Sequence, residues 1–367
     1  MNNNLKNIVV TVCFCVVIFG IALANIIMPD TKISYSERRT LKQVPPYTTK
    51  ELLSGELFED YEKYFLDQFI FRDTLRGFKA FTRFNIFKQK DNNDIYIVDG
   101  FINKMEYPLN EKAILNAANK LNEINEKYLQ GMNVSYSIIP DKNYFVAAEN
   151  GYLSMDYNKL VEIMEQNVLN MNYIDIFQNL NIEDYYRTDI HWNQNKIVDI
   201  AELLLREIDK DVNLSEVHYQ EKSLYPFYGS YYGQAALKID PDTLVYLTND
   251  LIENASVYDH IDETYHKVYL EDKFGTVDSY DIFLSGAKSL LTITNPAADT
   301  NKELVIFRDS FGSSIAPLLL HEYSKITLVD LRYFATNLLG DYLDFSRNQD
   351  VLFIYNTLIL NNSYMLK

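Results

Sequence analysis

The chain has 367 residues, 47% of them hydrophobic and 23% charged, which is enough for one large core or two modest ones and gives no compositional sign of disorder. Its formal net charge of −17 argues against a nucleic-acid partner, because phosphate binding requires clustered Lys and Arg. The only cysteines, Cys13 and Cys15, fall inside the N-terminal apolar run, so the rest of the chain has no disulfide, thiol nucleophile or zinc thiolate site.

Residues 8–28 carry no charged side chain and are numerous enough to cross a bilayer as a helix. Residues 1–29 are therefore expected to be a single-pass signal anchor in the cell membrane, with the rest of the chain extracytoplasmic. Ala22-Leu23-Ala24 resembles a signal-peptidase site, so a cleaved signal peptide is the alternative; Ile26, Ile27 and Met28 extend the apolar run past that site. Lys32, Arg38, Arg39 and Lys42 outnumber Lys6, against the usual positive-inside bias, but a long C-terminal domain can translocate despite such flanks.

Residues 30–56 read as a polar connector stiffened by Pro45-Pro46. Over residues 57–89, Phe58, Tyr61, Phe65 and Phe69 recur at helical spacing, the pattern of a core-facing stripe. Asp99-Gly100 between residues 95–98 and 101–102 signals a hairpin. Helices are then predicted over 111–129, 157–169, 193–208 and 313–323, and strands over 134–139, 304–307, 326–329 and 351–355. A loop-rich insertion with short strands is expected at about 216–289. Strands alternating with helices predict an α/β domain over 57–367, built on a mostly parallel sheet covered on both faces.

Two segments carry chemistry. The apolar run Leu304–Phe307 leads through Arg308 into Asp309-Ser310-Phe311-Gly312, and groups at the carboxyl ends of strands in such sheets face ligands. Ser310 would lie there, near a helix N-terminus able to stabilise an oxyanion; Asp309 or Ser310 acting only as a helix cap is the plainer reading. In Thr188-Asp189-Ile190-His191-Trp192-Asn193, residues two apart project to one side of an extended loop. A carboxylate on one ring nitrogen of His191 would leave the other as base, with the sole tryptophan, Trp192, walling the site. A surface Asp–His pair, with Asp189 or Asn193 capping the next helix, is the alternative. His218, His260 and His266 lack a strand-end context, His321 falls on a predicted helix as a surface residue, and no metal-ligand spacing surrounds His191.

Together these segments resemble the alginate O-acetylation proteins of the SGNH-hydrolase-like class, and more closely their Gram-positive relatives, the DHHW proteins. Asp189-Ile190-His191-Trp192 departs from Asp-His-His-Trp at its second position, which does not carry the chemistry. Ser36-Glu37-Arg38-Arg39, Phe58-Glu59-Asp60-Tyr61-Glu62, Phe71-Arg72-Asp73, Ile139-Pro140-Asp141-Lys142, the run 280–286 and Asp330-Leu331-Arg332-Tyr333 are similar to family segments in the same order. The resemblance implies a three-layer α/β/α SGNH-like domain in which Ser310 forms an acyl-serine and His191, oriented by Asp189, is base and then acid. It further implies oxyanion donors at the Ser310 amide and at Gly286 or Asn356, and an acceptor site lined by Arg332 and Tyr333. The implied activity is O-acetyl transfer to an exported or cell-wall polysaccharide, with a membrane-bound O-acyltransferase as partner. No cofactor is expected, as the chain lacks a nucleotide-binding glycine loop or coenzyme A signature. A glycan deacetylase or esterase, or a non-catalytic glycan-binding or assembly subunit, are the alternatives.

Overall fold

A computed structural model describes residues 3–209, 217–298, 300–345 and 349–367. The chain divides into two compact units, residues 1–92 with 232–238, and residues 93–231 with 239–367. Residues 57–92 thus group with the connector and not with the sheet.

The first unit begins with helix α1 (Asn3–Ile27), which is long and apolar enough to cross a membrane and buries none of its length in the protein. Beyond it, Ile33–Ser34 pairs antiparallel with Arg39–Thr40, and helices α2 (Glu56–Asp67) and α3 (Arg72–Phe81) follow. Charge holds these pieces together. Glu37 is bound by Arg39, Arg72 and Arg76 at 3.0, 2.7 and 3.1 Å, while Asp67 grips Arg39 at 2.5 Å. Burial pushes the Glu37 carboxyl up, but the three guanidiniums overcome it and hold it below its ordinary value. Hydrogen bonds from Arg39 hold Asp67 at about 2.

The aromatic stripe expected in a core lies outside it. Phe58, Phe65 and Phe69 are 66, 51 and 37% exposed, and the buried side chain of α2 is Leu57. Helical spacing correctly places these rings together; it carries no information about what covers them.

The second unit opens with the hairpin β1 (Ile95–Val98) and β2 (Phe101–Lys104), whose turn residues Asp99 and Gly100 both take positive φ, 48° and 83°, as a type I′ turn requires. The main elements then run α4 (Glu111–Tyr128), β3 (Asn133–Ile139), α5 (Tyr157–Asn167), β4 (Asn172–Ile174), α6 (Val198–Ile208), β5 (Gln220–Phe227), β6 (Asp242–Thr248), β7 (Ser256–Asp259), β8 (Thr264–His266), β9 (Leu290–Thr294), β10 (Glu303–Arg308), β11 (Lys325–Val329) and β12 (Asp350–Asn356). Eight of these strands form one sheet in the order β8-β7-β9-β11-β10-β12-β3-β4, with β11, β10, β12, β3 and β4 mutually parallel and β9 antiparallel to both its neighbours. β5 and β6 pair separately.

Both faces of the sheet are covered, which makes the domain a three-layer α/β/α structure. Leu304 and Ile306 of β10 and Leu352 and Ile354 of β12 pack with Ile200, Leu204 and Leu205 of α6. Their alternates Val305, Phe307, Val351 and Phe353 pack with Leu121 of α4 and Leu160 of α5. Phe307 and Phe353 are register partners whose rings stack at 4.5 Å. Such double burial is why these strands read as continuous apolar runs.

Three predicted elements differ. α6 starts at Val198, not 193, because Gln194 turns inward, donating to the Ser314 carbonyl at 2.6 Å and accepting from the Leu247 amide at 2.7 Å. The helix expected over 313–323 is a short turn, Gly312–Ile315, followed by a 3-10 turn, Ala316–Leu319, with Pro317 unable to donate into a continuing ladder. His321 consequently sits in a turn, 3.1 Å from the Asn249 side chain. The stretch expected to be loop-rich begins at Glu216, outside the described residues, and its later part supplies β7 and β8 to the main sheet.

Candidate functional site

The carboxyl ends of the parallel strands are stitched side to side by short polar residues. At the end of β10, Asp309 accepts the Phe311 amide at 2.9 Å and, with its second oxygen, the Asn356 amide at the end of β12 at 2.7 Å. Burial pushes the Asp309 carboxyl up, opposed by Arg332 and these amides. Thr357 donates its hydroxyl to Asp141 at 2.7 Å and accepts the Asp141 amide at 3.1 Å, which ties β12 to the segment after β3. Asp309 is therefore a structural acceptor, and Ser310, next to it and half-buried, is left at the rim.

The loop 185–192 closes on itself through a bridge between Tyr185 and Trp192 and a 3.0 Å hydrogen bond from the Tyr186 amide to the His191 carbonyl. At its tip the Asp189 carboxylate, fully buried, accepts the His191 amide at 3.0 Å and meets His191 Nδ1 at 2.5 Å. Its other oxygen accepts the Ser230 amide at 2.6 Å. A carboxylate at Nδ1 makes that nitrogen the N–H position and leaves Nε2 as the lone-pair acceptor. His191 Nε2 lies 2.7 Å from Ser310 Oγ, across 119 residues of chain. This is a hydroxyl–imidazole–carboxylate relay with both links at hydrogen-bond distance.

Packing fixes the imidazole. Tyr280 stacks on it at 3.8 Å with an interplanar angle of 5°, and Phe311 leans against it at 4.9 Å. Ser314 then locks the surroundings, accepting from Trp192 Nε1 and Tyr280 Oη at 2.8 Å each.

The loop's backbone is held from behind by Lys142, the first residue after Asp141. Its buried Nζ donates to the carbonyls of Tyr186, Arg187 and Asp189 at 2.7, 3.1 and 3.0 Å. Burial pushes the Lys142 ammonium down to about 7, with Asp189 and Asp242 pulling the other way. Asp242 of β6 accepts the Thr188 amide and hydroxyl at 2.7 and 2.6 Å. Gly229 lets the next segment press close, since a Cβ there would lie 2.4 Å from Asp189 Cα and Cβ.

The secondary residues distribute unevenly. Trp192 does not wall an open site: it is fully buried and packs edge-on against Phe311 below the relay. Asn356 is committed elsewhere, donating to the Ile139 and Pro140 carbonyls at 3.1 and 3.4 Å and accepting from Leu358, so its side chain is not available as an oxyanion donor. Gly286 ends three successive left-handed residues, Leu284, Ser285 and Gly286, and a Cβ at 286 would lie 2.0 Å from an Asp281 oxygen. It precedes β9, whose first residue, Leu290, pairs with the last residue of β11. Arg332 is bound at both ends by Asp330, at 2.9 and 2.6 Å, and its guanidinium lies 5.3 Å from the ring of Tyr333, which is 52% exposed. Lys142, Asp242, Gly229, Ser230 and Tyr280 are the supporting residues that site reasoning from sequence misses. Only Lys142 and Tyr280 fall in segments similar to the family's, because backbone-directed contacts leave no spacing signature.

A family profile described as DHHW protein matches residues 140–329. The structure is similar to that of a DHHW family protein from Eubacterium siraeum, with 21% identity and a TM-score of 0.61, covering 75% of this chain and 94% of that one. It is also similar to PatB1 from Bacillus cereus solved with a sulfonyl adduct, with 17% identity and a TM-score of 0.57, covering 74% and 97%. A second structure of Bacillus cereus PatB1 gives 16% and 0.56, covering 73% and 97%. At these identities the likeness concerns the fold. No curated protein matches the sequence.

Proposed function

The chain belongs to the DHHW protein family, and from that premise we propose that it is a membrane-tethered, extracytoplasmic serine O-acetyltransferase acting on an exported or cell-wall polysaccharide. The observation that carries this reading is the 2.7 Å approach of His191 Nε2 to Ser310 Oγ, with Asp189 at 2.5 Å from Nδ1. We assign the chemistry to the sheet-containing unit.

In the first half-reaction Ser310 Oγ attacks the carbonyl carbon of an acetyl donor as His191 Nε2 takes the hydroxyl proton. Asp189 stabilises the imidazolium. The tetrahedral oxyanion is served by the Ser310 amide, with the backbone around Gly286 as the second donor. Collapse expels the donor's leaving group, which takes the proton back from His191, and acetyl-serine remains. In the second half a sugar hydroxyl gives its proton to His191 and attacks the same carbonyl, returning Ser310 and releasing the acetylated glycan. Arg332 and Tyr333 are the proposed acceptor-side residues. Every atom comes from donor, enzyme and acceptor, so no cofactor enters. A membrane-bound O-acyltransferase supplies acetyl groups from across the bilayer, and α1 tethers the chain to the same membrane.

The test is labelling of the full chain with a sulfonyl fluoride, read by peptide mass spectrometry; the sulfonyl adduct with which PatB1 was solved supports the choice of probe. Modification is expected at Ser310 and is expected to vanish in His191→Ala. Transfer from a chromogenic acetyl ester to oligosaccharides then separates acetylation from hydrolysis. Equal transfer by Ser310→Ala and the parent would sink the proposal, and hydrolysis unaffected by any acceptor would make the protein an esterase.

A further inference from the structure

The first unit exposes a series of large apolar side chains that the chemistry leaves unused. On α2, Phe58 and Phe65 stand out by 66 and 51%. Phe71, the residue that leads into α3, and Leu75 and Phe78 on it follow one another at i, i+4, i+7 spacing, with 69, 49 and 65% exposure. Phe81, Ile86 and Phe87 continue it at 50, 59 and 67%. Soluble monomers rarely expose large apolar side chains in such series.

Two further observations say what covers it. The first is position. The end of α1 is fastened to the corner between α2 and α3: Asn25 Oδ1 accepts the Ile70 amide at 2.9 Å. Gln68 then grips the chain just beyond the helix, accepting from the Thr31 amide at 2.9 Å and donating to the Thr31 carbonyl at 3.0 Å. Tyr64 donates to Asp30 at 3.0 Å. The corner that carries Phe69 and Phe71 is thus pinned where the spanning helix ends. A cavity of about 420 Å³ opens at the junction, walled in part by Met28, Ile33, Phe69 and Phe71. The second is charge. In a chain of net charge −17, residues 79–90, at the end of α3 and beyond it, hold Lys79, Arg83, Lys88 and Lys90 and no acidic residue, whereas the acidic residues Glu56, Glu59, Asp60, Glu62 and Asp67 gather on α2.

We propose that the exposed phenylalanines of α2 and α3 lie in the upper acyl layer of the leaflet that α1 leaves at Ile27, with the lysines and arginine of residues 79–90 against anionic phospholipid and the acidic side of α2 turned to water. Aromatic side chains with basic neighbours at a membrane surface are the composition of an interfacial helix layer, and a spanning helix fastened to that layer holds it there without a separate association step. The inference rests on the tethered reading, in which α1 stays part of the protein, and is independent of the acyl chemistry.

The test uses the full-length chain in nanodiscs. Trp192 is the only tryptophan and is fully buried, so a new tryptophan reports its own surroundings. Phe65→Trp and Phe78→Trp, both at exposed positions, are measured in phosphatidylglycerol discs containing lipids brominated high on the acyl chain. About twofold or greater quenching is expected for both, with little for the parent. Lys79→Glu combined with Lys88→Glu should weaken the quenching of Phe78→Trp in phosphatidylglycerol and leave it unchanged in phosphatidylcholine. New tryptophans that bromolipid leaves unquenched and aqueous acrylamide quenches freely would overturn the proposal and leave the face for a protein partner. The same measurements in a Ser310→Ala background separate this inference from the catalytic one, since loss of acetyl transfer there should leave quenching intact.

Discussion

Asp189 spends both oxygens on the loop it belongs to and on Ser230, and its full burial keeps solvent away from them. Asp189→Asn keeps the shape but loses the charge that stabilises the imidazolium, and its amide N–H facing Nδ1 favours the wrong tautomer. Hydrolysis of a chromogenic acetyl ester should fall by about 10³–10⁴-fold with the fold retained by circular dichroism. Lys142 acts one step further back. As an ammonium it can serve all three loop carbonyls; as an amine it has one donor fewer. Its folded value, about 7, lies below its ordinary 10.5, so the unfolded chain binds the extra proton between those limits. Its contribution to stability is therefore present above 10.5 and lost as pH falls through about 7. The parent should gain on Lys142→Met as pH rises across that window, by up to about 1 kcal/mol per pH unit in denaturant titrations. If the clamp positions the relay, Lys142→Met should lower kcat with little change in KM. A lysine that only fills space would leave kcat unaltered once the protein is folded.

Between elements, close approach decides more than attraction does. Gly229→Ala would drive a methyl group into Asp189, so ester hydrolysis should drop at least about tenfold with a stability loss of about 1–3 kcal/mol, read from activity and melting together. In the first unit the Glu37 and Asp67 clusters join the α1 exit to α3. The Asp67 carboxyl sits near 2 against an ordinary 3.8, so its contribution is present above 3.8 and disappears as pH falls toward 2. Arg39 is 41% exposed, and water screens the pair. Asp67→Asn should therefore cost only about 1 kcal/mol at pH 5 and nothing near pH 2, checked by thermal unfolding of the full chain. The same elements show what a sequence reveals. β10 and β12 are legible because burial on both faces demands unbroken apolar residues. Asp189 and His191 are legible because a spacing of two puts them on one side of an extended loop. The Lys142 clamp is not, since its partners are backbone carbonyls that any residue supplies. The α2 rings are misplaced by sequence because periodicity identifies a face and is silent on its solvent.

At the scale of the molecule, the sheet core carries the stability of the unit that holds the relay. Phe353 is fully buried and stacks on Phe307 directly below the strand ends, so Phe353→Ala should cost about 3–5 kcal/mol in chemical denaturation. The parallel order of the central strands is readable from alternating helices and strands, whereas the antiparallel edge formed by β7, β8 and β9 is not, because its strands are short and separated by irregular chain. The order β10-β12-β3 has a consequence in time. Ser310 follows β10, and the lysine that steadies the histidine loop follows β3, yet the two strands never touch; β12 stands between them and is made after both. The strand between the two halves of the relay's scaffold is thus the last of the five parallel strands in sequence, and the sheet beneath the relay is complete only once residues 350–356 are in place.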